Sequence, residues 1–284
     1  MSKLIISIRV FNRPDKVKDL LKSLKKIDTS KFHFYFFVDG PRYQDDVALI
    51  NQSLKEINNY RLKKNSKIFV QKKNLGLKNH WIYCMNQTFQ KTDKAIFLED
   101  DLVVSDQFIN FISSGLKKYE NIEKVKSICG YLPINIKSNL ETFFASRTSV
   151  WGFGTWKRVW NECKQFMKKS NKNFLNFDHK KKLTKYGYDL HIILAKNIIN
   201  KESTFAVWWT VNIIFKKGLN LYPTQTLINN NGFDGSGTNC SKTNFYKKNF
   251  KKKKFLRKLP NQLKINEKFS SRISNKVLYS KSES

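Results

Sequence analysis

Three consecutive carboxylates, Glu99-Asp100-Asp101, stand at the end of a short apolar run, Ala95-Ile96-Phe97-Leu98. Acids this close repel one another and are costly unless a cation or hydrogen-bond donors meet them. A divalent metal carrying a phosphorylated substrate accounts for the cluster; a solvated acidic turn before the next helix is the competing reading. Apolar runs of this length with sharply polar ends read as buried strands of a parallel sheet. Open α/β sheets bind their ligands at the carboxyl ends of such strands.

The elements that must position these acids can be read along the first 120 residues. Leu4 to Val10 is a strand, and Asn12-Arg13-Pro14-Asp15 is a turn with proline at a helix start. The helix that follows carries Val17, Leu20, Leu21, Leu24 and Ile27 on one face. Phe32 to Val38 is a second strand closed by Asp39-Gly40-Pro41, then a helix runs from about Asp45 to Tyr60. A third strand spans Lys67 to Gln71, Asn74-Leu75-Gly76-Leu77-Lys78-Asn79 opens a helix, and the fourth strand arrives at Glu99. Ser105 is placed to cap the helix behind it. This alternation implies a parallel, doubly wound sheet. All four strand ends carry polar side chains: Asn12 and Arg13, Asp39, Asn74 and Lys78, and the acidic triplet. A base, a ribose and a diphosphate with one metal need about that mixture.

Beyond residue 120 the pattern changes. Ser127 to Tyr131 and Thr142 to Ser146 read as strands, and Trp151-Gly152-Phe153-Gly154-Thr155-Trp156 as the opening of a helix bearing Trp160, Cys163 and Met167. Trp156 and Trp160 at helical spacing read as core, whereas Trp151 with nearby glycines allows close backbone approach to a ligand. Helices follow from about Tyr188 to Ile199 and Phe205 to Lys216, then a strand from Asn220 to Tyr222. Gly232-Phe233-Asp234-Gly235-Ser236-Gly237 is a glycine-rich turn without the strand and helix of a dinucleotide fingerprint. From Tyr246 the chain is basic, KKNFKKKKFLRK with aromatic and aliphatic residues interleaved, which suits an anionic membrane surface, a nucleic-acid backbone or a solvated tail.

The net charge of +32 invites a nucleic-acid reading. Only eight of the 54 basic residues are arginine, however, and base readout and bidentate phosphate recognition favour arginine. The four cysteines, Cys84, Cys129, Cys163 and Cys240, lie far apart and read as reduced core residues of a cytoplasmic protein. No stretch of about 20 apolar residues is present.

At this point the chain resembles a family. FLEDDLVVSDQF is similar to the acidic metal motif of GT-A glycosyltransferases, the group that includes eukaryotic N-acetylglucosaminyltransferase I and bacterial sugar transferases of surface-polysaccharide clusters. The Trp151–Trp160 segment and NNNGFDGSGTNC, residues 229–240, resemble the acceptor-side half of the bacterial members. The resemblance implies a GT-A (Rossmann-like), mostly parallel sheet flanked by helices, with a nucleotide-sugar half over 1–120, an acceptor-side α/β half over 121–245, and a basic tail over 246–284. It implies that Asp101 coordinates Mn²⁺ or Mg²⁺ bridging the two phosphates, while Asp100 and Glu99 face the ribose and the base. Asp39 would bind a uracil-type base, Arg13 would sit by the base or phosphates, and Asn74, Lys78 and the helix start behind Gly76 would help hold the diphosphate. One departure stands out: Ala206 occupies the position, in Thr204-Phe205-Ala206-Val207-Trp208, where the eukaryotic relative has its catalytic Asp. Asp234 and then Asp189 are the substitute candidates for general base, with Glu202 behind them.

The expectation is therefore a metal-dependent glycosyltransferase using a nucleotide sugar, UDP-linked, with an inverting mechanism. Its acceptor would be a lipid-linked or surface glycan intermediate at the inner membrane face, reached by a cytoplasmic, peripherally bound protein. The rival readings are a nucleotidyltransferase, a nucleic-acid-binding protein, and a degenerate transferase that keeps only the donor site.

Overall fold

The computed structural model describes residues 4–28, 30–60, 66–170, 174–201, 203–235, 243 and 258–279. Its first half follows the expected alternation: β1 (Leu4–Val10), α1 (Pro14–Leu24), β2 (Phe32–Val38), α2 (Gln44–Asn59), β3 (Ser66–Val70), α3 (Gly76–Phe89) and β4 (Lys94–Glu99). The four strands pair in parallel in the order β3-β2-β1-β4, so their carboxyl ends share one edge of the sheet. β4 is apolar throughout its middle because Ala95, Ile96, Phe97 and Leu98 are covered on both faces. Pro14 sets φ for the first turn of α1, whose Val17, Leu20, Leu21 and Leu24 all face the core at helical spacing. Ile27 lies beyond that helix and packs against the same core from the connecting turn.

The sheet continues past β4 through β8 (Phe153–Trp156), β6 (Val125–Cys129), β9 (Leu219–Pro223) and β7 (Thr142–Ala145), making eight strands. β8 and β7 run antiparallel to their neighbours, and the other six strands share one direction. The fold is thus α/β with a mostly parallel sheet flanked by helices, as expected. One local expectation is corrected: the residues after Trp151 do not open a helix but form β8, and the helix α5 (Lys157–Lys169) begins after it. The strand is hidden in the sequence because Trp156 falls on helical spacing with Trp160, while all four of its residues are buried. Gly154 is what allows α4 (Phe108–Lys118) to lie on it, since a Cβ there would stand 2.4 Å from Ile112 Cγ2.

Ser105 does not cap α4 with its side chain; the preceding position is Gln107, and Ser105 Oγ is buried without a partner. The chain after the acidic triplet instead forms a short strand, β5 (Leu102–Val104), paired antiparallel with β10 (Ile228–Asn230). The second half is completed by α6 (Phe177–Thr184), α7 (Tyr188–Ile198), α8 (Phe205–Phe215) and α9 (Glu267–Tyr279). α8 is buried on nearly all sides, with Trp209 fully enclosed.

Residues 258–275 return to the body of the fold. Tyr119 donates its hydroxyl to the Pro260 carbonyl at 2.6 Å, Ile265 bridges to Phe144, and Phe269 and Ile273 are buried with Phe143 and Tyr222. The lysine-rich run 246–257 and Cys240 lie outside the described residues. Cys84, Cys129 and Cys163 are free and buried, as expected for core thiols. Among the described residues, no helix is long and apolar enough to cross a membrane.

Candidate functional site

The parallel strands end in a cleft of about 290 Å³ whose floor is the acidic triplet. β1 and the turn after it bring Arg9, Phe11 and Arg13; the segment after β2 brings Asp39 and Arg42; Asn74 precedes α3, which brings Gly76, Leu77 and Trp81. The opposite wall is made by Val150 and Trp151, by Thr204, Phe205 and Ala206 at the start of α8, and by Asn230 and Gly232 after β10.

Each acid of the triplet has a different setting. Glu99 pairs with the largely buried guanidinium of Arg9, which also lies 5.5 Å from the Trp81 ring centroid. Asp100 is buried, pairs with Arg13 and accepts the Phe11 backbone N–H at 2.9 Å. Asp101 shares the same guanidinium, with Arg13 Nη2 3.1 Å from its Oδ2, and its Oδ1 is buried without a hydrogen-bond partner. Burial, with the charges of Glu99 and Asp100 behind it, pushes the Asp101 carboxyl up to about 7 against the pull of Arg13 and Arg9. Burial works against the charge on Arg13, but Asp100 and Asp101 outweigh it and hold the guanidinium above its ordinary range.

A buried, undersolvated carboxylate oxygen is a donor suited to a hard divalent cation. Among the described residues, no group of three His, Cys, Asp or Glu side chains is arranged to hold a metal by itself. A metal here would take Asp101 from the protein and complete its shell with phosphate oxygens and water, the usual habit of Mg²⁺ and its relatives. The donor set fits on those terms.

Asp39 is buried at the end of β2 and organises the neighbouring loop. Its Oδ1 accepts the backbone N–H of Gly40 and of Leu75, each at 2.9 Å, and Asn74 Nδ2 approaches Oδ2 at 3.3 Å and the Gly40 carbonyl at 2.9 Å. Burial raises its carboxyl above the ordinary range despite those donors. His80 lies beneath it, fully buried, with Nδ1 3.7 Å from Asp39 Oδ2 and neither ring nitrogen hydrogen-bonded. Burial, aided by Arg9, lowers the imidazole to about 3, so this contact is that of a neutral ring and not an ion pair. Gly40 is required by space, because a Cβ would meet the Lys73 backbone at 2.4 Å.

The structure thus gathers Arg13, Asp39, Asn74, Glu99, Asp100 and Asp101 around one cleft. It does not bring the others there. Lys78 is half-buried on α3 outside the cleft lining, and Asn12 turns away to Asp46 Oδ1 at 2.6 Å. Asp189 is buried in a two-pronged pair with Arg147, at 2.8 and 2.7 Å. Asp234 is half-exposed and pairs with Lys16 beside the start of α1. Glu202 lies outside the described residues. Ala206 does line the cleft, so the wall where a base was expected presents a methyl group.

Three contributors escaped the sequence reading. Arg9 had a signal, a charged residue inside the otherwise apolar LIISIRV strand. Arg42 stacks 4.8 Å over the Phe11 ring, a pairing without a local pattern. Gly232 accepts no side chain: a Cβ would stand 2.2 Å from Asp101 Oδ2, and its N–H donates to Asn230 Oδ1 at 2.8 Å. Trp151, singled out for its glycine neighbours, does stand in the wall, 5.3 Å from Phe233 and 4.7 Å from Tyr131.

No protein-family model matches the chain, and no curated protein matches it. Solved structures similar to it include the mannosyltransferase PcManGT from Pyrobaculum calidifontis in complex with GDP-Man and Mn²⁺, at 7% identity and a TM-score of 0.39 over 56% of this chain and 46% of that one. A second is S. aureus TarS 1-349 in complex with UDP, at 14% identity and a TM-score of 0.42 over 67% of this chain and 56% of that one. The chain spans about half the length of these solved relatives.

Proposed function

We propose that the protein is a metal-dependent glycosyltransferase that takes a sugar from a nucleotide sugar, UDP-linked, and that the cleft is its donor site. The observation that carries this reading is Asp101: a carboxylate at the carboxyl end of a parallel strand that lines the cleft and, beside its pair with Arg13, keeps one buried oxygen without a hydrogen-bond partner. A divalent ion bound there supplies charge neutralisation for a leaving nucleoside diphosphate. Arg13 and Arg9 bring guanidinium charge to the same floor, where preorganised donors stabilise developing negative charge. Arg42 lies over the Phe11 ring beside Asp39 in the cleft lining, and the base would lie against that pair. The finer kinship, to N-acetylglucosaminyltransferase I, rests on FLEDDLVVSDQF alone. Transfer of a hexosyl or N-acetylhexosaminyl group with inversion, and a lipid-linked or surface glycan acceptor at the inner membrane face, belong to the same proposal.

The test is donor binding and hydrolysis across UDP-, GDP-, CMP- and dTDP-sugars, with Mn²⁺ and then with EDTA. Selective, EDTA-sensitive recognition of one donor supports the reading; a folded protein that recognises none of them overturns it. A second reading is favoured by one specific observation: the described acceptor wall holds Thr204, Phe205 and Ala206 and no carboxylate. A protein that keeps the donor site and has lost transfer would bind a donor with metal yet show neither hydrolysis nor transfer.

A further inference from the structure

The packed helices α6 and α7 each expose apolar side chains. Phe177, at the start of α6, is 74% exposed, and the exposed Lys181 and Lys185 follow it at four-residue steps. On α7, Tyr188 is 50% and Ile192 38% exposed, and Ile199, just past the helix end, is 43% exposed. Positions separated by four and eleven residues fall within about 40° of one line on a helix turning 3.6 residues per turn. The opposite side of α7 is the packed one, with Leu190 and Leu194 buried against Val207, Trp208 and Val211 of α8. Lys196 of α7 is exposed as well.

This surface lies on the back of the cleft wall. Asn197 of α7 accepts the Thr204 N–H at 2.9 Å and the Trp208 Nε1–H at 3.2 Å, and its own Nδ2 reaches Thr204 Oγ1 at 3.2 Å. Thr204 lines the cleft. One side of α7 therefore holds the acceptor wall in place while the other carries the exposed aromatic and aliphatic chains.

We propose that the α6–α7 face docks on a bilayer containing anionic phospholipid. Large apolar chains flanked by lysines are the composition of a surface that lies in the headgroup boundary, with the apolar groups entering the acyl region and the ammonium groups meeting phosphate. Charge decides among occupants. A second copy of this chain brings the same lysines and a net charge of +32, so it is repelled. Nucleic acid would satisfy the lysines but offers no apolar medium to Phe177 and Ile192. An anionic bilayer satisfies both. The docking does not rest on the donor-site reading.

The experiment is co-sedimentation of the full chain with phosphatidylcholine vesicles with and without one quarter phosphatidylglycerol, in the absence of any donor. Two double variants keep the net charge unchanged, Phe177→Ser with Ile192→Ser and Tyr188→Ser with Ile199→Ser, and either serves if the other fails to fold. The expected result is partition onto the anionic vesicles that falls by about tenfold or more in a variant, with its melting temperature and nucleotide binding retained. Unchanged partition in folded variants would assign membrane attraction to bulk charge and overturn the proposal. So would a wild-type chain that ignores anionic vesicles, or one that forms an oligomer dissolved by these substitutions. Failure here leaves donor binding in solution untouched, so the two readings fall separately.

Discussion

Gly232 and Asp101 are locked together: a single Cβ on Gly232 would come within 2.2 Å of the Asp101 Oδ2 atom. The contact exists because β5, directly after the acidic triplet, pairs with β10, and the Asn231 N–H then donates to the Asp101 carbonyl at 2.8 Å. The glycine at this point is a matter of room for a carboxylate. Gly232→Ala is expected to turn the Asp101 carboxylate out of place and away from Arg13, because the added Cβ would crowd Oδ2, the oxygen that pairs with that guanidinium. Isothermal titration should show metal-dependent donor binding weakened by at least about tenfold, the scale of one misplaced charged contact. Unchanged binding would detach Asp101 from the metal.

The raised carboxyl of Asp101 makes a second prediction. Its folded value of about 7 lies above the ordinary 3.9 of an unfolded Asp, so between those values the native state holds the proton more tightly. Stability of the metal-free protein from this group therefore falls as pH rises from about 4 to about 7, and is level above that. Asp101→Asn removes the dependence. Denaturant titrations should show the wild type losing ground to this variant on the order of 1 kcal/mol per pH unit across that window. Metal affinity has the opposite course, growing as pH rises through 7 because the cation competes with a proton. Parallel pH profiles for wild type and Asp101→Asn would show that Asp101 carries no such shift.

The floor of the cleft was legible because β4 is so nearly apolar that the change to Glu99-Asp100-Asp101 can only mark its end. The βα alternation around it is a local pattern, and the ends of β1 and β2 fall where periodicity puts them. What escaped was non-local. β8 is four residues long, buried on both faces and without alternation, so nothing in it distinguishes strand from helix. The two-strand pairing of β5 with β10 joins residues over a hundred positions apart, and no spacing announces it. Asp189 looked available as a base only because Arg147, its partner, lies 42 positions earlier on a different element.

Asp39 joins β2 to the loop of α3, and its removal should cost stability as well as nucleotide affinity. In Asp39→Ala the buried N–H of Gly40 and the half-buried N–H of Leu75 lose their acceptor. Each buried donor left unmet costs about 1–3 kcal/mol. A urea titration should show a loss of about 2–5 kcal/mol, and Asn74→Ala should cost less, because its amide is only half-buried. If Asp39→Ala keeps full stability, those two hydrogen bonds are not what holds the loop.

The two acids proposed to replace the missing base are separable by experiment because their surroundings differ. Asp189 is enclosed with Arg147, whose guanidinium also donates to the Tyr186 carbonyl at 3.1 Å. Asp189→Ala strands a buried cation and is expected to cost about 3–5 kcal/mol of stability, so its loss of activity would follow its loss of fold. Asp234 pairs with Lys16 in a half-exposed setting, and Asp234→Asn should change stability by no more than about 0.5 kcal/mol. Transfer assays with the favoured donor then decide. A fall of a hundredfold or more in kcat for Asp234→Asn, with donor affinity unchanged, would make that carboxylate the base, since proton transfer by a positioned side chain supplies about 10²–10⁴ in rate. Full activity in Asp234→Asn would exclude that carboxylate as the base, whereas a wild-type chain that binds its donor and transfers nothing would make the methyl group of Ala206 the mark of a lost base.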